Sequence, residues 1–472
     1  MNIKGILYYL GLFCFPISVL AFVNILYSSY SNYLLSLESY IVVLFLSLFV
    51  GISFFIIGRK KTKKIEFFDQ ILLVILVYLT SSFFISLPFY LSNYQIPFIN
   101  SLFESVSGIT GTGFTIFDNI KYLDPTLIFW RSISQWVGGL YFLIFLVIFF
   151  SNNQYNFKLN NYVFTRDKNV NQEINIKKNT VEVFSLYIIF STIIFFLFSI
   201  ADIRLFNSLN LAMTIVSAGG FIPTDNLGQI IKTNTQEFFL IISFLMVTLN
   251  IYFFYNIFTK KNFFKSHYED FALLFLILFI SFFLFFILKD FNFLQIFMGV
   301  LSSLSTSGIS TFEIDNRYTL FFLFLSIVGG SIVSNTSGIK FLRFFILLKS
   351  TFVEIFKLVK PNNIINQNLL FSDHKINIEN TKLSFFIFIS FFISVFFLSS
   401  LLLLDNINFE NSFKISMLTL TNTVSSGLYG LNDFSFVQLL TSSKIFIIIF
   451  MIIAKIELIS IFLLIKNFFF KN

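Results

Sequence analysis

Charge is what this chain has least of. Aspartate, glutamate, lysine and arginine together make up 12% of its 472 residues, about half of what a soluble domain carries. The single cysteine, Cys14, cannot form an intrachain disulfide, and its place in an apolar run reads as a small buried hydrophobe. The two histidines, His267 and His374, lie in basic loops, which argues against a histidine-based metal site. No apolar stretch carries a nucleophile, a metal-ligand cluster or paired acids. An enzyme is therefore not expected, and neither is a cofactor.

What is present is hydrophobic. Apolar residues make up 56% of the chain, 75 of them phenylalanine, and the mean hydropathy is +0.85. They fall in runs long enough to cross a bilayer, which takes about 20 helical residues. The surroundings are therefore membrane lipid. The net charge of +8 sits in the loops, where it sets orientation, and nucleic acid is not implied. The first apolar run, residues 5–27, is longer than a signal-peptide core and has no clear small-residue cleavage site, so it reads as a retained helix.

The fold class expected is an all-α polytopic membrane protein. Two N-terminal spans, residues 5–27 and 40–58, end at the basic cluster Arg59, Lys60, Lys61, Lys63 and Lys64. Four units follow, each a span, a short apolar segment and a second span. The expected divisions are residues 1–64, 65–165, 166–265, 266–362 and 363–472. Four units with two spans each, plus the first two, give about ten transmembrane helices. The short segments, near residues 98–107, 206–216, 293–304 and 409–423, are too short to span, so four re-entrant pore helices are expected.

Each short segment ends in small, often hydroxylated residues closed by glycine. The four runs are Thr110-Gly111-Thr112-Gly113, Ser217-Ala218-Gly219-Gly220, Ser305-Thr306-Ser307-Gly308 and Val424-Ser425-Ser426-Gly427. One such run could serve close helix packing. Four, at the same point of a repeated unit, point to a selectivity filter, because rings of backbone carbonyls replace the hydration shell of a cation. Loop charge agrees. Glu104, Asp118, Asp124, Asp202, Asp225, Asp290, Glu313, Asp315, Asp405, Glu410 and Asp433 lie in the loops with the runs; lysines such as Lys158, Lys168, Lys260, Lys349 and Lys360 lie in the alternate ones. The positive-inside rule then puts all four runs on the outer side and both termini in the cytoplasm. The acids read as a cation-concentrating mouth, against the plainer reading of scattered solvated carboxylates.

The second span of unit three is interrupted by Gly329-Gly330-Ser331-Ile332-Val333-Ser334-Asn335-Thr336-Ser337-Gly338. Ten residues this small and polar break a membrane helix, and the broken backbone must be buried or line a cavity. A gating loop and a kinked helix are the two readings. In the last span Lys455 and Glu457 are intramembrane charges, readable as a barrier facing the loop or as a structural ion pair. Arg131 and Gln135 lie one helical turn apart in WRSISQWVGG, and packing is their default role.

Taken together, FESVSGITGTGF, WRSISQWVGG, SAGGF, STSGI, SNTSGIKFLRFFILLK, SSGLYGL and KIELISIFLL resemble the Trk/Ktr/HKT superfamily of cation transporters. The likeness is greatest to its TrkH and KtrB membrane subunits, and it runs from about Gly5 to the end of the chain. The resemblance implies a potassium pore of four covalently linked repeats in the cytoplasmic (inner) membrane, assembled as a homodimer. K+ would be the transported ion. The key filter glycines would be Gly113, Gly220, Gly308 and Gly427, with glycine rather than serine at 113 favouring potassium. The gate would comprise Gly329, Gly330, Ser334, Asn335, Thr336, Ser337, Gly338 and a basic residue in the last span. That residue is Lys455 here, where the family usually has arginine. A cytosolic nucleotide-binding RCK subunit of the TrkA/KtrA type would dock on the inner face. A Na+- or H+-coupled potassium symporter, or a less selective K+/Na+ transporter, is the alternative.

Overall fold

The computed structural model describes residues 2–59, 65–151, 172–259, 263–359, 368–369, 376, 378–432 and 434–456. Long apolar runs become long helices. α1 (Ile3–Ser31) and α2 (Leu37–Gly58) form an N-terminal hairpin. Unit one comprises α3 (Phe67–Tyr90), α4 (Phe98–Thr110) and α5 (Pro125–Ser151). Unit two comprises α6 (Gln172–Ile200), α7 (Leu205–Val216), α8 (Asn234–Thr248) and α9 (Phe253–Thr259). Unit three comprises α10 (Tyr268–Ile287), α11 (Phe293–Leu304), α12 (Thr319–Val328) and α13 (Phe341–Val359). Unit four comprises α14 (Ile378–Leu404), α15 (Phe409–Thr421) and α16 (Thr441–Ile456).

Seven of these helices, α1, α2, α3, α5, α6, α10 and α14, are long and apolar enough to cross a bilayer. The other three expected spans differ. The second span of unit two stops at Thr248 and resumes at Phe253. Asn250 causes the break: its side-chain oxygen accepts from Tyr252 N at 3.0 Å, a local bond that competes with the helix. The second span of unit three is broken between Val328 and Phe341, over the expected Gly329–Gly338 stretch. The last span is described only to Ile456, so Glu457 lies outside the described residues.

The four short helices have 12 or 13 residues each. At 1.5 Å per residue they reach about 20 Å, well short of a hydrocarbon core of about 30 Å. Around them α5 is the most enclosed span, with 83% of its apolar window buried against 22% in α2. Phenylalanines such as Phe275, Phe279 and Phe282 on α10 point outward, as lipid-facing side chains do.

Small residues bring the first two helices together. A Cβ on Gly11 would stand 2.7 Å from both the Gly51 carbonyl oxygen and the Phe55 nitrogen, and Gly58 is equally tight against Tyr8 N and Lys4 O. The hairpin is tied to unit one by the Tyr141 hydroxyl, which donates to the Phe13 carbonyl at 2.6 Å. Overpacking of this kind costs about 1–3 kcal/mol. We expect Gly11→Val to lower the thermal unfolding midpoint in detergent; an unchanged midpoint would contradict the close approach.

Candidate functional site

Each short helix ends by turning one residue into the left-handed region: Gly111 (φ 78°), Ala218 (φ 55°), Thr306 (φ 58°) and Asn422 (φ 47°). Glycine and asparagine accept this conformation at least cost. In three units a pair of hydroxyls brackets it. Thr110 Oγ1 and Thr112 Oγ1 are 2.8 Å apart, Ser305 Oγ and Ser307 Oγ 2.8 Å, and Thr421 Oγ1 and Thr423 Oγ1 2.9 Å. The extended backbone that follows is tied down by hydroxyls of the helix behind it. Ser107 donates to the Phe114 carbonyl and Ser302 to the Ile309 carbonyl, both at 2.6 Å.

These four segments, more than 300 residues apart at the extremes, meet. A Cβ on Gly113 would stand 2.7 Å from Gly220 Cα; one on Gly220 would overlap Val424 Cβ; one on Gly308 would lie 2.8 Å from Thr423 Cγ2 and 3.1 Å from Val424 Cγ1. Asn422 Nδ2 donates to Thr112 Oγ1 at 2.9 Å, and the Ser426 hydroxyl donates to the Gly308 carbonyl at 2.6 Å. In unit four the structure departs from the expected register. The hydroxyl pair places Thr421–Val424 where the other units have Thr110–Gly113 and Ser305–Gly308, three residues before Val424–Gly427. Ser425 and Gly427 follow the bend. Gly427 packs against Glu313 and Asn432, and its carbonyl accepts from Ile314 N at 3.2 Å.

The first two segments are braced from behind. Arg131 Nε donates to Glu104 Oε1 at 2.7 Å, both side chains being 1% exposed or less. Glu104 also accepts from Ile116 N at 2.9 Å and from the Thr115 hydroxyl at 3.1 Å. Arg131 reaches the Thr115 hydroxyl at 3.0 Å and the Ile222 carbonyl at 3.5 Å, and lies over the Phe221 ring. Gln135 Oε1 accepts from Phe221 N at 3.1 Å. The sequence placed Arg131 and Gln135 in packing; they bond the backbone of Ile222 and Phe221 behind the second run. Glu104 was counted among the acids of the mouth, yet it is buried on the short helix α4, where its charge is matched by Arg131.

Most of the remaining acids are engaged locally. Asp225 accepts from Ile120 N and Lys121 N, and Asp118 from the Ser435 hydroxyl. Asp124 caps α5 through Thr126 N. Glu410 pairs with Lys414, and Asp315 with Arg317. Hydroxyls of Ser442 and Ser443 hold the Asp405 carboxyl below the usual carboxylate range. Glu313 lines a cavity of about 300 Å³ with Asn316, Asn411, Gly427 and Asn432. Asp433 lies outside the described residues.

The Gly329–Gly338 loop abuts these segments. Ser337 N donates to Thr306 Oγ1 at 2.9 Å, and Asn335 Nδ2 donates to the Val216 carbonyl at 2.6 Å. Lys455 Nζ donates to Ser337 Oγ at 3.4 Å, lies 4.5 Å from the centre of the Phe142 ring, and is 3.6 Å from where a Gly111 Cβ would be. Lys455 thus faces the loop, and Glu457, the partner in the ion-pair reading, lies outside the described residues. The chain's other enclosed cation here was not read from sequence. Lys340 Nζ donates to the carbonyls of Ser331 (3.4 Å), Ser334 (3.1 Å) and Thr336 and to the hydroxyls of Ser334 (3.4 Å) and Thr336 (3.2 Å). Ile332 N is held by Glu269 Oε1 at 2.8 Å, and Ser331 N by the Thr248 carbonyl at 2.9 Å.

No family model matches the chain. The Trk system potassium uptake protein TrkG of Escherichia coli is 26% identical over 91% of this chain and 92% of its own length. An uncharacterized cation transporter of Methanocaldococcus jannaschii is 25% identical over 100% of this chain and 97% of its own. The crystal structure of the potassium transporter TrkH from Vibrio parahaemolyticus superposes with a TM-score of 0.85 at 19% identity, covering the whole of both chains. The chain has the fold of that transporter. The shared fold thus accounts for four short helices whose ends meet at one place, and the likeness extends over both halves of the chain.

Removing one partner of a buried ion pair costs about 3–5 kcal/mol, because the other charge is stranded. Glu104→Gln is expected to lower the unfolding midpoint sharply. Glu354→Gln, at the exposed Lys357 pair, should leave it in place; equal midpoints for the two variants would contradict the bracing role.

Proposed function

We propose that the chain carries potassium ions across a membrane through a filter formed where the four short helices end. The carrying observation is the meeting of Gly113, Gly220, Gly308 and the unit-four segment at one point, each behind a left-handed residue that turns the chain out of its helix. Backbone oxygens of Thr110 to Gly113, Ser217 to Gly220, Ser305 to Gly308 and the unit-four turn would take the place of water around the ion. The potassium named in TrkG and TrkH, and the whole-length likeness to TrkG, support this cargo.

In this reading the loop from Gly329 to Gly338 is the gate. Its contacts with Thr306, Val216 and Lys455 put packed chain and a positive charge next to the filter. The charge of Lys455 repels a cation at that point, and a low-dielectric setting strengthens the repulsion. Loop charge supports an arrangement with the four runs outward and the termini in the cytoplasm of a bacterial-type inner membrane. A homodimer, and a cytosolic nucleotide-binding subunit that moves the loop, belong to the same proposal. Coupling to a second ion has no observation in its favour.

The assay is ⁸⁶Rb⁺ uptake into proteoliposomes, competed by K+ and Na+. Uptake that K+ suppresses and equal Na+ does not is the expected result; no uptake from correctly folded protein would refute the reading. Gly113→Ser should raise sodium permeation relative to potassium, because a side chain there would press on Gly220 and deform the ring. An unaltered ratio would remove Gly113 from the filter. Deleting residues 329–338 should raise uptake, and abolished uptake in folded protein would count against a gate.

A further inference from the structure

We propose that Val424, and not Gly427, is the fourth residue of the filter constriction, and that it sets the selectivity and rate of this particular pore for dehydrated monovalent cations. The inference rests on the filter reading above and deepens it.

Three observations fix the register. The hydroxyl pairs Thr110/Thr112, Ser305/Ser307 and Thr421/Thr423 have the same separation to within 0.1 Å. Each brackets a residue of positive φ: Gly111, Thr306 and Asn422. Unit two has Ala218 in that conformation, after Ser217. Counting two residues onward from the left-handed residue gives Gly113, Gly220, Gly308 and Val424. The packing agrees, since Val424 lies against Gly220 and Gly308, whereas Gly427 lies against Glu313 and Asn432.

Valine changes the chemistry at this level. Gly113 and Gly308 have φ of 81° and 67°, whereas neither Gly220 nor Val424 is among the residues of positive φ. A β-branched side chain makes that conformation costly. The peptide plane after Val424 therefore cannot take the orientation that its two glycine counterparts allow. Its isopropyl group, 9% exposed, fills space that the other units leave to backbone. The Ser426 hydroxyl also engages the Gly308 carbonyl, which withdraws part of one oxygen from a passing ion. The result is a ring of three glycines and one apolar wedge. Such a ring offers a bare cation fewer oxygens, and carbonyl number and field are what separate potassium from sodium.

The experiment measures ⁸⁶Rb⁺ uptake and its competition by K+ and Na+ for the full chain in proteoliposomes. Val424→Gly is expected to raise uptake several-fold and to sharpen discrimination against sodium. Val424→Ala should fall between the two, which keeps the test usable if the glycine variant does not fold. Gly427→Ala is the discriminating variant, and its ion ratio should match that of the unmodified protein. Unchanged rate and ratio in folded Val424→Gly or Val424→Ala would overturn the assignment. So would a shifted ratio in Gly427→Ala alone. If Gly113→Ser also changes nothing, the filter reading itself fails; if Gly113→Ser alters the ratio while Val424 variants do not, only the present inference fails.

Discussion

Backbone that leaves a helix inside an apolar protein must find hydrogen-bond partners, because no water reaches it to supply them. This requirement organises the centre of the molecule. Ser107 and Ser302 satisfy the carbonyls of Phe114 and Ile309; Glu104 and Gln135 satisfy the amides of Ile116 and Phe221; Glu269 satisfies Ile332, and Thr306 satisfies Ser337. Most of these non-helical stretches are thus held by a side chain projecting from a helix behind them. Several charges are spent in the same way: Glu104, Arg131, Glu269 and Lys340 are all buried and all bonded to irregular backbone.

The broad plan could be read from the chain because it depends on length and period. Short apolar segments between long ones, each running into small residues, forecast the four short helices, and Gly329–Gly338 forecast the break between α12 and α13. What escaped was whatever depended on pairing across the fold. Glu104 looked like a loop acid because its partner lies 27 residues on, at Arg131. Lys340 carried no reading in the sequence, and only the folded loop shows its ammonium among five oxygens. In unit four the left-handed turn falls three residues earlier than the glycine that marked the run in the sequence. Asn422, the non-glycine residue most tolerant of positive φ, was the signal available in the sequence.

The buried ammoniums of Lys340 and Lys455 have unlike surroundings. Lys340 is enclosed by oxygens of the loop itself, with Glu269 bound to the same loop at Ile332, so its charge is largely spent within the fold. Lys455 has one weak hydroxyl contact and an aromatic face, and it lies beside the backbone of Gly111 near the Ser217 carbonyl. Lysine also suits this setting in a way that arginine does not, since a single compact ammonium needs fewer acceptors than a guanidinium fork.

The loop is firmly held. Six hydrogen bonds join it to distant parts of the chain: Ser331 N to Thr248, Ile332 N to Glu269, Val333 O from Ile251, Asn335 to Val216, Ser337 N to Thr306 and Lys455 Nζ to Ser337 Oγ. At a net value of about 1 kcal/mol each, they contribute about 6 kcal/mol to its packed state. The loop, α8, α9 and α10 join at the corner where Thr248, Asn250 and Asp270 come together. There Asp270 binds Asn250 N at 2.9 Å and His267 at 2.7 Å, while Glu269 beside it holds the loop. Three of the loop's hydrogen bonds, with Thr248, Ile251 and Glu269, are made at that corner, so the broken ends of the second and third units pack as one piece with the start of α10.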